Sequence, residues 1–269
     1  MRADSFYSIG HTHKVCQDYA LCGELENTWP NWVALSDGCS SSPHTDVGAR
    51  LIVWAALKAV ALTGNSHWFP DQFIQNVFKN SLVKENSLDA TLLILETPQD
   101  QDHIEAHIFG DGVVFALRND GLIEAWQIEQ ADAPAYLSNL LTKDRLKRYL
   151  EKWGGKRVVN HYLDGTLVDS FRDEITVENS GWNFGFDIVL DRNEYQMVCV
   201  GSDGLDSFVD QDLNRVPLTD VLGQIANISN SNGTFLERNV GFFLKKKCPK
   251  LGWKNQDDVS VAGFWCKEE

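Results

Sequence analysis

An α+β fold, with antiparallel strands and helices packed outside them, is what this sequence predicts, on three observations. Four strand-like runs follow one another between residues 90 and 128 with short polar links. Helical patterns are grouped between blocks of strands and do not alternate with single strands, which argues against a parallel βαβ sheet. No repeat, low-complexity stretch or Pro/Gly/Ser-rich linker divides the 269 residues, so a single domain over 1–269 is expected.

The elements follow in chain order. Asn31–Ser36 is an apolar run ending in Asp37-Gly38 and reads as a buried strand. Val47–Leu62 (VGARLIVWAALKAVAL) is Ala-rich and apolar on most faces, a buried helix that Thr45 or Asp46 would cap. From Phe69 to Glu85, apolar residues at 69, 73, 74, 77, 78 and 82 keep helical spacing. ATLLILE (90–96), HIEAHIF (103–109), VVFALR (113–118) and LIEAWQI (122–128) read as an antiparallel meander. Thr142–Trp153 is a basic amphipathic helix stopped by Gly154-Gly155, with weaker strand signals after it. Phe184–Leu190 and Tyr195–Gly201 read as strands, Leu218–Ile228 and Thr234–Lys246 as helices, and VSVAGFW (259–265) as the last strand.

Composition narrows the function. Hydrophobic residues make up 43% and charged residues 23%, ordinary for a soluble globular chain. No apolar run approaches the ~18–20 residues of a membrane span, and MRADSFYSIG lacks a signal-peptide core. A cytoplasmic chain with no membrane partner is expected. The net charge of -14 argues against nucleic acid as a partner. None of the six cysteines is in CxxC spacing, so they are expected to be thiols in a reducing compartment. With acidic residues in excess, a single Asp means little and its position must carry the argument.

Three apolar runs end in Asp-Gly: WVALSDG (Asp37), AHIFGDG (Asp111) and MVCVGSDG (Asp203). Asp257-Asp258 opens the last strand, and Gln17-Asp18 precedes a short apolar segment. At Asp111 strands flank the pair, and a hairpin turn is the plainer reading. At Asp37 and Asp203 the next segment looks helical, so a hairpin fits poorly, although a capping or loop Asp remains an ordinary alternative. Carboxylates from several strand ends can converge, and like charges held close need a cation between them. Oxygen ligands favour Mg²⁺ or Mn²⁺. Two such ions about 3.5–4 Å apart would activate a hydroxide for in-line attack on phosphorus.

With these residues in order, the chain resembles the type 2C (PPM-type) family of metal-dependent serine/threonine protein phosphatases, in its bacterial branch. GHTHKVCQD (Gly10–Asp18) is similar to the family's first motif with a shorter interval, and ALSDGCSSSPHTDVGAR (Ala34–Arg50) to its second. DATLLIL (Asp89–Leu95), Gly110–Gly112, Ser202–Asp206 and DDVSVAGF (Asp257–Phe264) follow in family order. The resemblance implies an αββα sandwich of two antiparallel sheets flanked by helices. It implies a variable flap around residues 140–185 and two divalent ions, with a third, weaker site. Asp37 would bridge two ions and Gly38 lend its carbonyl. Asp203 and Asp257 would complete one ion, Asp18 serve the other through water, and Asp111 with Asp203 hold the third. Asp37, Asp203 and His13 would carry catalysis on a phosphoserine or phosphothreonine protein, with a serine/threonine kinase system as the counterpart.

Four positions depart from the family pattern. His13 stands where many members have a phosphate-gripping Arg, so His13, His11 and Lys14 are the candidate substrate-binding residues. Cys39 replaces a proton-donating His, Gln17 replaces a Glu, and Ser207 replaces an Asp. These departures motivate one rival, a phosphatase-like binding module without turnover. A second rival is a metal-dependent phosphoesterase of small substrates. Lys143–Arg157 carries seven basic residues and two acidic ones and reads as a solvated face, with partner contact as the functional alternative. Lys245–Lys247 reads as the end of a helix, where cations suit the dipole.

Overall fold

The computed structural model describes residues 1–25, 28–63, 70–98, 102–130, 133–177, 184–228 and 231–267. The strands are β1 (Arg2–Ser8), β2 (Tyr19–Leu25), β3 (Thr28–Ser36), β4 (Leu92–Glu96), β5 (His103–Phe109), β6 (Gly112–Arg118) and β7 (Ile123–Gln130). Then come β8 (Lys156–Leu163), β9 (Thr166–Glu174), β10 (Phe186–Asp191), β11 (Tyr195–Gly201), β12 (Phe208–Val209), β13 (Lys254–Asn255) and β14 (Val259–Trp265). Among the described residues, β1-β14-β11-β6-β7-β8-β9 form one antiparallel sheet and β10-β5-β4-β3-β2 another, with β12-β13 a small ribbon.

Alternation along the strands explains the layers. Leu93 and Leu95 of β4 face Val114 and Ala116 of β6 and Val198 and Val200 of β11 in the core between the sheets. Leu92 and Ile94 point the other way, toward α1 (Thr45–Thr63) and α2 (Pro70–Lys79). On the far side α4 (Leu218–Ala226) and α5 (Phe235–Phe242) cover the larger sheet through Val221, Leu222, Ile225, Leu236 and Val240. The result is the αββα sandwich expected.

Several elements differ from the sequence reading. The four runs from 90 to 128 are not one meander: β4 and β5 lie in the smaller sheet, β6 and β7 in the larger. The chain crosses between sheets at Gly110 (φ 102°) and Gly112 (φ 142°), a backbone open to glycine. Gly110-Asp111-Gly112 is therefore not a hairpin. Asp-Gly makes hairpins elsewhere, at Asp120-Gly121 between β6 and β7 and at Asp164-Gly165 (φ 44° and 82°) between β8 and β9. Helix α1 buries a stripe that includes Ala49, Ile52, Val53 and Ala56, and leaves Val47 and Trp54 exposed, because the sheet covers one side of it. Thr45 and Asp46 lie inside its first turn and do not cap it from outside; the Thr45 hydroxyl donates to the Cys39 carbonyl (3.0 Å). Helix α2 stops at Lys79, where Asn80 Nδ2 takes the Asn76 carbonyl (2.8 Å), and only a 3₁₀ turn, Glu85–Leu88, follows; Phe69 lies outside the described residues.

The basic segment is α3 (Lys143–Trp153), N-capped by Thr142, whose Oγ1 accepts from Arg145 N–H (3.2 Å), and it leads into β8. Arg145 pairs with Asp89 and Glu85, and the buried Arg157 pairs with Asp173, so two of its cations are structural. Of the expected flap, β8 and β9 extend the larger sheet to its edge, α3 packs through Leu146 and Tyr149 into the layer outside the smaller sheet, and 178–183 lie outside the described residues. Helix α5 passes through a π turn (Phe243–Lys247) into α6 (Cys248–Leu251), so Lys245–Lys247 sit within a longer helical run and not at its end. No disulfide joins cysteines among the described residues. Among the described residues no helix is long and apolar enough to cross a membrane.

Candidate active site

Register brings the acidic residues together. Tyr19 of β2 pairs with Ser36 of β3, so the next residues outward, Asp18 and Asp37, come opposite one another. In the other sheet Gly201 pairs with both Val113 and Val261. Beyond it Asp203 therefore approaches Asp111 on one side and the 257–258 pair on the other. Both sheets end at the same place, and His13, Asp37, Gly38, Asp111, Asp203 and Asp257 line one cavity of about 280 Å³. Asp111, Asp203 and Asp257 also wall an adjoining cavity of about 260 Å³, whose rim carries Arg215.

Neutral donors hold this arrangement. Asp37 N–H donates to Thr91 Oγ1 (3.0 Å), and the Asp37 carbonyl accepts from Thr91 N–H (2.8 Å). Cys39 N–H donates to the Asp89 carbonyl (2.8 Å), so the segment 89–91 leading into β4 holds both neighbours of Gly38. The Gly38 carbonyl is thereby turned away from its bridge partner Ala90, as antiparallel alternation requires. Ser202 Oγ donates to Asp18 Oδ2 (2.8 Å) and accepts from Ser260 N–H (3.0 Å), tying the two sheets together. Asp258 is buried and accepts from the backbone N–H of Gly10 (2.7 Å) and Gln17 (2.6 Å). It anchors the 10–17 loop, while its neighbour Asp257 faces the cavity.

The electrostatics are those of crowded carboxyls. Burial pushes Asp18 up to about 7, and burial with the Asp203 charge pushes Asp111 up to about 8. Burial and the charges of Asp18 and Asp203 raise Asp37 well above the ordinary range, and burial also raises Asp203. Burial works against a charged His13, but Asp258 and Asp257, at 3.1 and 3.4 Å from Nδ1, outweigh it and raise its pKa. His13 is thus a better cation than a free histidine. Burial works against a Cys39 thiolate too, yet neighbouring hydroxyls of Ser41, Tyr136 and Ser42 bring that thiol below its usual value.

These residues fit a divalent metal. Asp18 Oδ1 is buried and has no hydrogen-bond donor. Among the described residues no lysine or arginine forms an ion pair with Asp18, Asp37, Asp111, Asp203 or Asp257. A buried, donorless oxygen beside other carboxyls is a place for a cation, and an oxygen donor set suits a hard one.

The 10–17 loop carries the other sequence candidates. His13 reaches the cavity, whereas His11 and Lys14 are exposed on the loop, outside the lining residues. Gln17 Nε2 donates to Thr45 Oγ1 (2.9 Å), a structural role. The sequence motifs include Ser202, Thr91 and Asp258 but assign none of them a role, since they carry no charge into the cavity. They leave out Arg215, which pairs with Asp206 beside it.

Comparison with known proteins agrees with this geometry. The sequence matches the family model "Protein phosphatase 2C" over residues 7–244. No curated protein matches the sequence. Among solved structures, a bacterial serine phosphatase bearing a point substitution superposes with a TM-score of 0.61 at 10% identity, covering 98% of this chain and 97% of that one. The serine/threonine phosphatase Stp1 from Staphylococcus aureus gives 0.56 at 11% identity, covering 97% and 93%. The PP2C phosphatase domain, with a fragment of the regulatory domain, of SpoIIE from Bacillus subtilis gives 0.54 at 11%, covering 97% of this chain and 62% of that one. At such identities the superpositions speak for the fold. The match over 7–244 speaks for the family, and the chain belongs to the protein phosphatase 2C family of phosphoprotein phosphatases.

Proposed function

We propose that this chain removes phosphate from phosphoserine and phosphothreonine in proteins, with two divalent cations, Mn²⁺ or Mg²⁺, held by the cleft carboxylates. The supporting observation is the buried, donorless Oδ1 of Asp18, beside a cavity that Asp37, Asp111, Asp203 and Asp257 wall from two sheets. Asp37 and the Gly38 carbonyl suit a position shared by two cations. Asp203 and Asp257 would complete one, Asp18 would serve the other, and Asp111 with Asp203 would suit a third, weaker site. Bound there, such a cation supplies Lewis acidity toward phosphoryl oxygens and an acidified water at neutral pH.

The chain's own groups do the rest. His13, kept charged by Asp257 and Asp258, offers the cavity a cation for the substrate phosphate, and Arg215 offers another at the rim. Ser202 and Thr91 fix the carboxyl and backbone of the two strand ends, so orientation does not depend on the loops alone. A serine/threonine kinase would supply the phosphorylated protein, and cysteines without disulfides among the described residues suit a reducing, cytoplasmic setting.

The test is direct. The purified chain should hydrolyse an aryl phosphate and a phosphothreonine peptide with Mn²⁺, lose both activities in excess chelator, and lose them in Asp37→Ala and Asp203→Ala. Undiminished turnover in chelator would sink the metal reading. Nucleotides cleaved in preference to phosphopeptides would move the substrate class.

A further inference from the structure

A second cluster lies at the other end of the smaller sheet, on its outward face. His103, Glu105 and His107 alternate along β5 and so share one face, opposite the core residues Ile104, Ala106 and Ile108. Glu105 pairs directly with Glu96 of β4, and His107 with Asp187 of β10. Like charges opposite one another on paired strands are destabilising unless something stands between them.

Glu96 is only 2% exposed, walled by Trp32, its cross-strand neighbour on β3. Its Oε2 has no hydrogen-bond partner, and no described lysine or arginine pairs with it. His107 Nε2 is likewise buried without a hydrogen bond. One ligand atom from each of Glu96, Glu105 and His107 lies within 4.8 Å of the others.

We propose that Glu96, Glu105 and His107 form a second metal site, for a divalent transition-metal ion of the zinc type, separate from the cleft. Nε2 stands 3.5 Å from Glu96 Oε1 and 3.6 Å from Glu105 Oε2. A charge-assisted N–H···O bond would be about 2.7–2.9 Å. Ligands around a tetrahedral ion with bonds of about 2.0–2.1 Å sit roughly 3.3–3.4 Å apart, which is close to the spacing seen. The ligands are also oriented from behind. His107 Nδ1 lies 2.7 Å from Asp187 Oδ1; with Nδ1 donating there, an ion that displaces the Nε2 proton would meet the Nε2 lone pair. His103 Nε2 lies 2.8 Å from Glu105 Oε1, which turns Oε2 toward the site. One imidazole and two carboxylates leave a position for water and suit zinc better than calcium or magnesium. From Glu96 back along β4 to the Thr91–Asp37 contact is about 16 Å at ~3.3 Å per residue, so the cleft ions cannot reach this site. An ion here would clip β4, β5 and the edge strand β10.

The test titrates Zn²⁺ into the full chain in excess Mg²⁺, which occupies oxygen sites and leaves imidazole free. Calorimetry counts the ions and nitrogen-15 spectra of the histidine rings locate them. One equivalent should move the His107 Nε2 resonance, in wild type and in Asp203→Asn alike. Glu96→Gln should abolish that shift, and Asp187→Asn, at an exposed position, should weaken binding about 10–100-fold. His107 rings unmoved at saturating Zn²⁺, or a shift equally strong in both Glu96→Gln and Asp187→Asn, would overturn the site. Should Glu96→Gln fail to fold, the Asp187→Asn affinity and the wild-type ring spectrum still decide.

Discussion

Asp18 carries two opposed demands. Its Oδ1 is buried without a donor and faces carboxyls, which destabilises the metal-free fold but prepares the place for a cation. Asp18→Asn supplies an N–H₂ donor and removes one charge. Differential scanning calorimetry in chelator at pH 8 should therefore find the variant more stable, by about 1 kcal/mol or ~2–4 °C for a chain of this size. Mn²⁺ affinity should fall at the same time. A variant less stable than wild type in chelator would mean that Asp18 is a hydrogen-bonded structural carboxylate. The acidic residues themselves were legible in the sequence, because Asp-Gly at the end of an apolar run is a pattern. Which of Asp257 and Asp258 faces the cleft was not legible at all from composition or spacing. It depends on the twist of β14 and on the 10–17 loop, whose N–H groups claim Asp258. The roles of Ser202 and Thr91 were invisible for a like reason: a neutral residue acquires its role only from the strand beside it.

Five Asp-Gly pairs show how far local pattern reaches at the scale of elements. The pairs at 37, 111 and 203 end strands at the cleft, whereas Asp120-Gly121 and Asp164-Gly165 make hairpins. Strand content was legible from alternation, but membership of a sheet was not, because a short polar link serves a hairpin and a crossing equally well. The difference lies in what surrounds the glycine. A Cβ on Gly112 (φ 142°) would come within 2.7 Å of the Leu93 side chain and 2.8 Å of the Gly201 carbonyl, while one on Gly165 (φ 82°) meets nothing nearer than 3.8 Å. Gly165→Ala should lose only the left-handed penalty, about 1–2 kcal/mol. Gly112→Ala adds a clash between the sheets and should lose more, about 3 kcal/mol or above. Urea denaturation midpoints of the two variants rank them. Equal losses would place the strain in backbone conformation alone and remove the packing argument for the crossing.

The cleft joins the halves of the molecule. Asp18 and Asp37 belong to the smaller sheet, Asp111, Asp203 and Asp257 to the larger, and the chain as a whole carries a net charge of -14. Without a cation, the folded state holds its protons more tightly than the unfolded chain does. Asp18 and Asp111 titrate near 7 and 8, against an ordinary value of 3.8. Both folded values are raised, so the folded state binds more protons in this window and stability falls as pH climbs from about 4 to 8. Cations reverse the sign, since they bind the ionised carboxylates and release those protons. Thermal melts in chelator should therefore fall steadily between pH 5 and 8. Saturating Mn²⁺ at pH 8 should restore stability, by about 2.7 kcal/mol at a hundredfold excess over Kd. Because the ligands come from both sheets, hydrogen exchange should slow at the cleft ends of β3 and β11 together. Protection gained on one sheet alone would mean that the metal serves only that half. A melting temperature that rises with pH in chelator would show that the carboxyls are ionised and held by protein donors, and the case for the cleft as a cation site would fail with it.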